Sequence, residues 1–183
     1  METLNNRTFK VPERTDVSEP NKAIFDKLQR GIGFVPNLYA FFAKNETALE
    51  DYLAFQNRKS TLSSKEREVV NLVTSQINGC RYCQSAHTAL ARMLHFTDEQ
   101  ILEIRQGTAS FDSKLDALAK FTAAVVKNKA HIANKIKETL FTAGYTEANL
   151  VDIVIVIGDK LISNYLHNLT QLPIDFPLAD EIA

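Results

Sequence analysis

Two helices joined by a tight turn are predicted by residues 63–94, which read SSKEREVVNLVTSQINGCRYCQSAHTALARML. Ser63 and Glu66 have the spacing of a capping box, in which the two side chains satisfy free backbone amides of the first helical turn. The Asn-Gly dipeptide that follows the apolar run is typical of a left-handed helix end. A second helix is therefore expected to begin at Cys80 and to continue to about Leu94.

The first of these helices has an apolar side and a polar side. The apolar side chains expected to point inward are Val69, Val70, Leu72, Val73 and Ile77. Arg67, Asn71 and Thr74 are expected to face water. Glu68 lies at the edge of the apolar side, where an unpaired carboxylate is costly, so a partner for this carboxylate is expected.

Similar signals recur along the chain and predict an all-α fold of about nine helices. Thr97 with Gln100 is a second capping box, Ser113 with Asp116 has the spacing of a third, and Thr146 precedes the last long helix. The stretch VDIVIVIGD that follows Thr146 is β-branched enough for a buried parallel strand. We interpret it as helix, because a cap directly precedes it, no glycine-rich phosphate loop follows it and the sequence offers no similar partner strand.

Length, composition and charge limit the class of protein. The 183 residues, 45% of them hydrophobic, predict one compact domain at residues 20–183 after an extended arm at residues 1–19. The 21 basic and 22 acidic residues argue against a nucleic-acid binder, and no apolar run reaches the ~18 residues of a membrane span. The polar start of the chain carries no signal core, so a cytoplasmic protein with reduced cysteines is expected.

Cys80, Cys83 and His87 carry the sharpest chemical signal. At these spacings the three side chains share one stripe of the second predicted helix, near its amino end. Helix amides, a protonated His87 and hydrogen bonding between the sulfurs would each favour a thiolate. A thiolate attacks peroxides and disulfides, and a second sulfur resolves the oxidised product, so the pattern favours a redox pair.

Two other interpretations of the cysteines stay open. Cysteine packs well in a core, so the pair can be purely structural. The cysteines and His87 also have metal-ligand chemistry, and a fourth ligand is available from Glu68 or from the isolated histidines His95, His131 and His167. Each of those three histidines is otherwise expected at the surface or at a helix end.

One spacing of site residues resembles a known family. The residues that carry the resemblance are Glu68, Cys80, Cys83 and His87. They match the motif of the AhpD-like, or carboxymuconolactone decarboxylase, family, and the stretches GFVPN at 33–37 and LPIDFP at 172–177 are similar to its peroxidase-related branch. The resemblance implies stacked helical hairpins, a homo-oligomer such as a trimer or hexamer, and alkylhydroperoxidase activity.

The same resemblance implies roles for individual residues. Cys83 would attack the peroxide, Cys80 would be its more exposed resolving partner, and His87 with Glu68 would form a proton relay. Helix-dipole reasoning alone favours Cys80 as the more acidic sulfur, so the residues themselves leave the order open. Where the AhpD type carries a histidine between the cysteines, this chain has Tyr82, a candidate supporting residue that stays neutral near pH 7.

The expected activity is reduction of hydrogen peroxide or an organic hydroperoxide by the cysteine pair. A reducing thiol or a disulfide-reductase protein would restore the pair, and no cofactor or metal is expected. One alternative is a non-redox enzyme that acts on a small lactone or acid, with Glu68 and His87 as acid and base. Another is a metal-binding oligomeric module.

Overall fold

Helices make up nearly all of the regular structure of the chain. The structure, a computed structural model, describes residues 8–182. In chain order, its α-helices are α1 (Glu19–Ile32), α2 (Asn37–Phe42), α3 (Ala48–Gln56), α4 (Ser64–Ile77), α5 (Arg81–Met93), α6 (Asp98–Arg105), α7 (Ser113–Lys127), α8 (Asn134–Thr142) and α9 (Glu147–Thr170). A short 3₁₀ turn at Arg14–Asp16 precedes them, and the described residues contain no β-strand. The predicted all-α class and the approximate number of helices are confirmed.

The predicted helix caps are present, with one exception. Ser63 Oγ accepts a hydrogen bond from the amide of Glu66 at 3.3 Å, and Glu66 Oε2 accepts one from the amide of Ser63 at 2.8 Å. A second reciprocal pair caps α6. At α7 the prediction is wrong, because Asp112 rather than Ser113 accepts the first amides. Asp116 instead accepts from the amide of residue 109 at 2.9 Å, so it stabilises the preceding loop.

The β-branched stretch at 151–159 lies inside α9, which is 24 residues long. Ile153 and Ile157 are buried while Val151 and Val154 are exposed, which is the spacing of a helix face and not the alternation of a strand. Among residues 8–182, no single helix has the length and apolar character needed to cross a membrane. Only α8 and α9 taken together, a pair bent by 114°, reach that length and composition.

The chain divides into two compact units. The first contains residues 8–58 and 166–175, and its apolar core is formed by residues of α1, α2 and α3. The second contains residues 59–165 and 176–182, and in it α4 packs against α5, α6 and α7. The predicted arm at 1–19 and single domain at 20–183 stay a prediction, and residues 1–7 of that arm lie outside the described residues.

Helix α4 is surrounded inside the second unit. Its valines and Leu72 are fully buried, as predicted. Asn71 and Thr74 are buried too, so the prediction that they face water is wrong. Because α4 has neighbours on several sides, its polar side also faces the interior, and this side carries site residues.

Candidate active site

The turn between α4 and α5 places both cysteines. Gly79 has a φ of +64°, the left-handed conformation that the Asn-Gly dipeptide predicts. Cys80 follows as the N-cap of α5, and its amide donates to the carbonyl of Ser75 at 3.1 Å. Its Sγ accepts a hydrogen bond from the amide of Cys83 at 3.4 Å. The sulfur of Cys80 therefore lies over the first turn of the helix that carries Cys83.

Both cysteines are free thiols in the interior of the unit. Cys80 is 0% exposed and Cys83 is 3% exposed. The expectation that Cys80 is the more exposed sulfur is wrong, because its side chain turns back to cap α5 instead of pointing towards solvent. Reaction at either sulfur therefore requires a reactant to enter the unit or the unit to open locally.

Glu68, His87 and Lys160 form a chain of buried ionisable side chains. Glu68 Oε2 and His87 Nδ1 are 2.7 Å apart, and Nε2 of the same ring is 3.0 Å from Nζ of Lys160. The other oxygen of Glu68 accepts a hydrogen bond from the side-chain amide of Asn71 at 2.9 Å. The expectation that the Glu68 carboxylate has a partner is confirmed.

The surroundings of Glu68 favour its charged form. Burial alone raises the pKa of this carboxyl, but His87, and then Asn71 and Lys160, outweigh burial and hold the pKa of Glu68 below its ordinary value. Glu68 is therefore a carboxylate at neutral pH. It can accept a hydrogen bond from the ring of His87.

The two cysteines differ in their tendency to ionise. The hydrogen bond from Cys80 lowers the pKa of Cys83 to about 6 against the opposing effect of burial, and Lys160, His87 and Asn164 add to the lowering. The same pairing, together with burial, raises the pKa of Cys80. Helix-dipole reasoning favours the opposite order. The contact between the two sulfurs outweighs it, because Cys80 keeps its proton and shares it with Cys83.

Sequence reasoning misses Lys160 and Asn164, which both reach the site from α9. Asn164 Nδ2 donates to Ser75 Oγ at 3.4 Å, and its Oδ1 accepts from the side chain of Asn78 at 3.0 Å. Both residues are remote from the cysteines in sequence, so no local spacing relates them to the motif. The available signal is a charged pair, Asp159 and Lys160, inside an otherwise apolar stretch of helix, where charges need partners.

The C-terminal segment, residues 176–182, lies against the first turns of α5. The ring of Phe176 meets that of Tyr82 edge-on, with centroids 5.5 Å apart. The amide of Ala179 donates to Ser85 Oγ at 3.1 Å, and Arg81 donates to the carbonyl of residue 180 at 3.5 Å. Tyr82 is thus buried against this segment and helps to hold it over the start of the helix.

The three isolated histidines have different environments. His95 and His131 are exposed, as predicted, whereas His167, near the end of α9, is buried. Its Nε2 lies 3.0 Å from the carbonyl oxygen of Leu172, and burial lowers the pKa of His167. Among the described residues, no three His, Cys, Asp or Glu side chains are grouped so as to hold a metal ion.

A family model matches the centre of the chain. It is the model of the carboxymuconolactone decarboxylase family, and it covers residues 42–127. The resemblance to this family is confirmed. The matched region includes the whole motif at 68–87, but it ends before α8 and α9, so Lys160 and Asn164 lie outside it.

Solved structures share the fold over most of the chain. An uncharacterized peroxidase-related protein from Silicibacter sp. TM1040 is 26% identical, with a TM-score of 0.81 and 94% of each chain covered. Another, from Ralstonia eutropha JMP134 and described as an alkylhydroperoxidase AhpD core, is 22% identical, with a TM-score of 0.82 and 91% of each chain covered. A cysteine-to-alanine variant of the debrominase Bmp8 in complex with 2,3,4-tribromopyrrole is 18% identical, with a TM-score of 0.76 and 93% of each chain covered. No curated protein matches the sequence. The AhpD-like fold is confirmed, and the activities named are those of the other proteins.

Proposed function

We propose that this protein is a thiol-dependent peroxidase that reduces hydrogen peroxide or organic hydroperoxides. The observation that carries the proposal is a buried pair of free cysteines, one of which caps the helix that carries the other, together with a buried carboxylate–imidazole pair. The pKa of Cys83 is lowered to about 6, Cys80 Sγ is 3.4 Å from the amide of Cys83, and Glu68 and His87 are 2.7 Å apart. The peroxidase-related names of two proteins with the same fold agree with this function.

In the proposed cycle, the Cys83 thiolate attacks one peroxide oxygen and the O–O bond breaks. Cys83 becomes a sulfenic acid, and the leaving oxygen takes up a proton and departs as water or an alcohol. The Cys80 thiol then attacks the sulfenic sulfur, its proton leaves with the hydroxyl group as water, and a Cys80–Cys83 disulfide forms. Two electrons thus pass from the sulfurs to the peroxide.

Glu68 and His87 are proposed to move the protons of this cycle. The ring hydrogen on Nδ1 faces Glu68, whose lowered pKa keeps it an acceptor at neutral pH. The pair can exchange protons with the thiols and the leaving oxygen through Nε2, where Lys160 Nζ at 3.0 Å is the next ionisable group. Tyr82 stays a candidate supporting residue, through its packing on Phe176.

A reductant must restore the thiols after each turnover. We propose a small thiol or a disulfide-reductase protein, because both deliver two electrons by thiol–disulfide exchange. A reducing compartment such as the cytoplasm suits the free state of the two cysteines.

A homo-oligomer, which the family resemblance implies, is proposed to form through α9. Val151, Val154, Ile162 and Tyr165 are all 47–58% exposed, and their spacing puts them on one helix face. A continuous apolar face of this kind marks a contact surface, here for a second copy of the chain. Light scattering on Val154→Glu with Ile162→Glu is expected to show a smaller assembly than the wild type, and an unchanged mass would contradict this surface.

Peroxide consumption by the reduced protein tests the proposed activity. Wild type is expected to consume peroxide and to form an internal disulfide, seen as the loss of two hydrogens from the peptide that carries both cysteines. Cys83→Ser is expected to consume none. Cys80→Ser is the matched control, expected to consume a single equivalent and to stop at the sulfenic acid. Equal peroxide consumption by wild type and Cys83→Ser would overturn the proposal.

The same variants separate the alternatives. Activity on a small lactone or acid that survives Cys80→Ser with Cys83→Ser would favour a non-redox reaction, with Glu68 and His87 as acid and base. Stoichiometric zinc in freshly purified protein, without titratable thiols, would favour a metal-binding module.

A further inference from the structure

Lys160 is a buried cation outside the region that the family model covers. It is only 3% exposed and lies on α9 between residues that belong to the apolar core. A lysine is rarely buried this deeply without partners, because removing its charge from water is costly. Its partners include Nε2 of His87 at 3.0 Å and Oδ2 of Asp159 at 3.4 Å.

The contact between Lys160 and His87 indicates where the protons lie. An ammonium group only donates hydrogen bonds, and so does a charged imidazole, so the contact is favourable only if one of the two groups is neutral. The ordinary pKa of lysine, ~10.4, is far above that of histidine, ~6.5. The shared proton therefore stays on Nζ, Nε2 accepts the hydrogen bond, and Nδ1 carries the ring hydrogen that faces Glu68.

We propose that Lys160 is a positioning residue of this site, which fixes the neutral Nδ1–H form of His87 and supplies the positive charge of the site that His87 shares with Cys83. Its use in catalysis rests on the proposed function, whereas its effect on the two side chains does not. Lys160 thus takes over a role that the sequence pattern assigns to a protonated His87.

Ionisable side chains face Lys160 and His87 from three helices. Glu68 comes from α4, Cys83 and His87 from α5 and Asp159 from the same helix as the lysine. Two carboxylates and one thiolate therefore surround a single ammonium group once His87 is neutral. Attraction by Lys160 is one of the causes that lower the pKa of Cys83, after the hydrogen bond from Cys80.

The test is a pH titration of the ultraviolet thiolate absorbance of the reduced protein, with Cys83→Ser as the blank. Lys160→Met removes the charge and keeps the length of the side chain. We expect the thiolate step of Cys83 to move up by at least ~1 pH unit, so that the thiolate fraction at the wild-type midpoint falls from about a half to about a tenth. Lys160→Arg, which keeps the positive charge, is expected to leave the thiolate step close to its wild-type pH. Lys120→Met, the same change at an exposed site, is expected to leave the step in place.

A second measurement needs no variant at the lysine. Nitrogen NMR of the His87 ring in the wild type is expected to show a neutral ring with its hydrogen on Nδ1 at pH 7. A ring protonated on both nitrogens would overturn the proposal, and so would an unchanged thiolate step in a folded Lys160→Met protein. Neither readout requires turnover. A protein that consumes no peroxide but shows the expected shift therefore refutes the proposed function and not this inference.

Discussion

Two buried histidines of the chain have very different surroundings. His87 is 8% exposed and His167 is 3% exposed, so their burial is similar. His87 lies between a carboxylate and an ammonium group, whereas Nε2 of His167 lies 3.0 Å from the backbone carbonyl oxygen of Leu172. Burial alone therefore does not make an imidazole suitable for chemistry. The His87 ring differs in having an ionisable side chain at each of its two nitrogens.

Replacing the carboxylate beside His87 should give the largest effect. Glu68→Gln removes the charge that faces Nδ1, and peroxide consumption is expected to fall by about a hundredfold, in the range of general acid–base contributions. Steady-state peroxide consumption with a saturating reductant measures this.

Glu66→Gln is the matched control, on the same helix but in the capping box of α4. The glutamine keeps the capping box and removes only the charge that faces Lys114, so this variant is expected to lose less than ~1 kcal/mol of stability and to leave the rate nearly unchanged. Equal losses of activity in the two variants would mean that the carboxylate beside His87 has no special role.

Low pH should give the next largest effect, by protonating the Cys83 thiolate. The lowered pKa of Cys83, about 6, keeps its thiolate present above that pH, and protonation removes it below. Single-turnover oxidation is therefore expected to slow about tenfold for each pH unit below the pKa, as the thiolate fraction does. A rate independent of pH between 4 and 8 would show that the thiolate is not the reacting form.

Loosening the C-terminal segment, residues 176–182, should have a moderate effect on the access of reagents to the cysteines. Phe176→Ala removes the ring that packs on Tyr82, so the start of α5 is expected to be less well covered. Reaction of the cysteines with a bulky aromatic disulfide should then rise several-fold, while reaction with hydrogen peroxide changes little. Leu178→Ala, at an exposed position of the same segment, is the control and should leave both rates unchanged.

The smallest effect is expected at His167. Burial lowers its pKa from the ordinary 6.5, so its contribution to stability is complete above that value and is lost as the pH falls towards the folded-state pKa. The melting temperature of the wild type should therefore fall more steeply below pH 6.5 than that of His167→Gln, and peroxide consumption should be unchanged by this substitution. The exposed His131→Gln should behave as wild type, and a large loss of activity in His167→Gln would remove the distinction between the two histidines.

The part of the site that was predictable from sequence is the part set by helical spacing. Cys80, Cys83 and His87 occupy one helix, whereas Glu68, on the helix before it, is related to them through the family resemblance. Lys160 is 73 residues from His87, and only tertiary packing brings the two together. The prediction that Asn71 faces water is wrong for a related reason, because a polar residue on an amphipathic helix suggests solvent unless the neighbouring helices are known.

The choice of helix cap and the exposure of a side chain also depend on three-dimensional structure that the sequence pattern does not reveal. Asp112 rather than Ser113 caps α7, since both residues suit the position and only the backbone conformation selects one. The burial of Cys80 is likewise not predictable from sequence, because it depends on the direction in which its side chain leaves the backbone.

The sulfur of Cys80 has two roles in the proposed cycle, as the cap of α5 and as one half of the disulfide. In the reduced protein this sulfur accepts a hydrogen bond from the amide of Cys83 and so caps the amino end of α5. When the disulfide forms, this sulfur is bonded to Cys83 Sγ and its lone pairs point in new directions, so the hydrogen bond from that amide is expected to weaken. Backbone hydrogen–deuterium exchange at Cys83 would then follow the oxidation state of the pair. Exchange in the first turn of α5 would therefore measure the fraction of the protein that is in the disulfide form and has yet to be reduced.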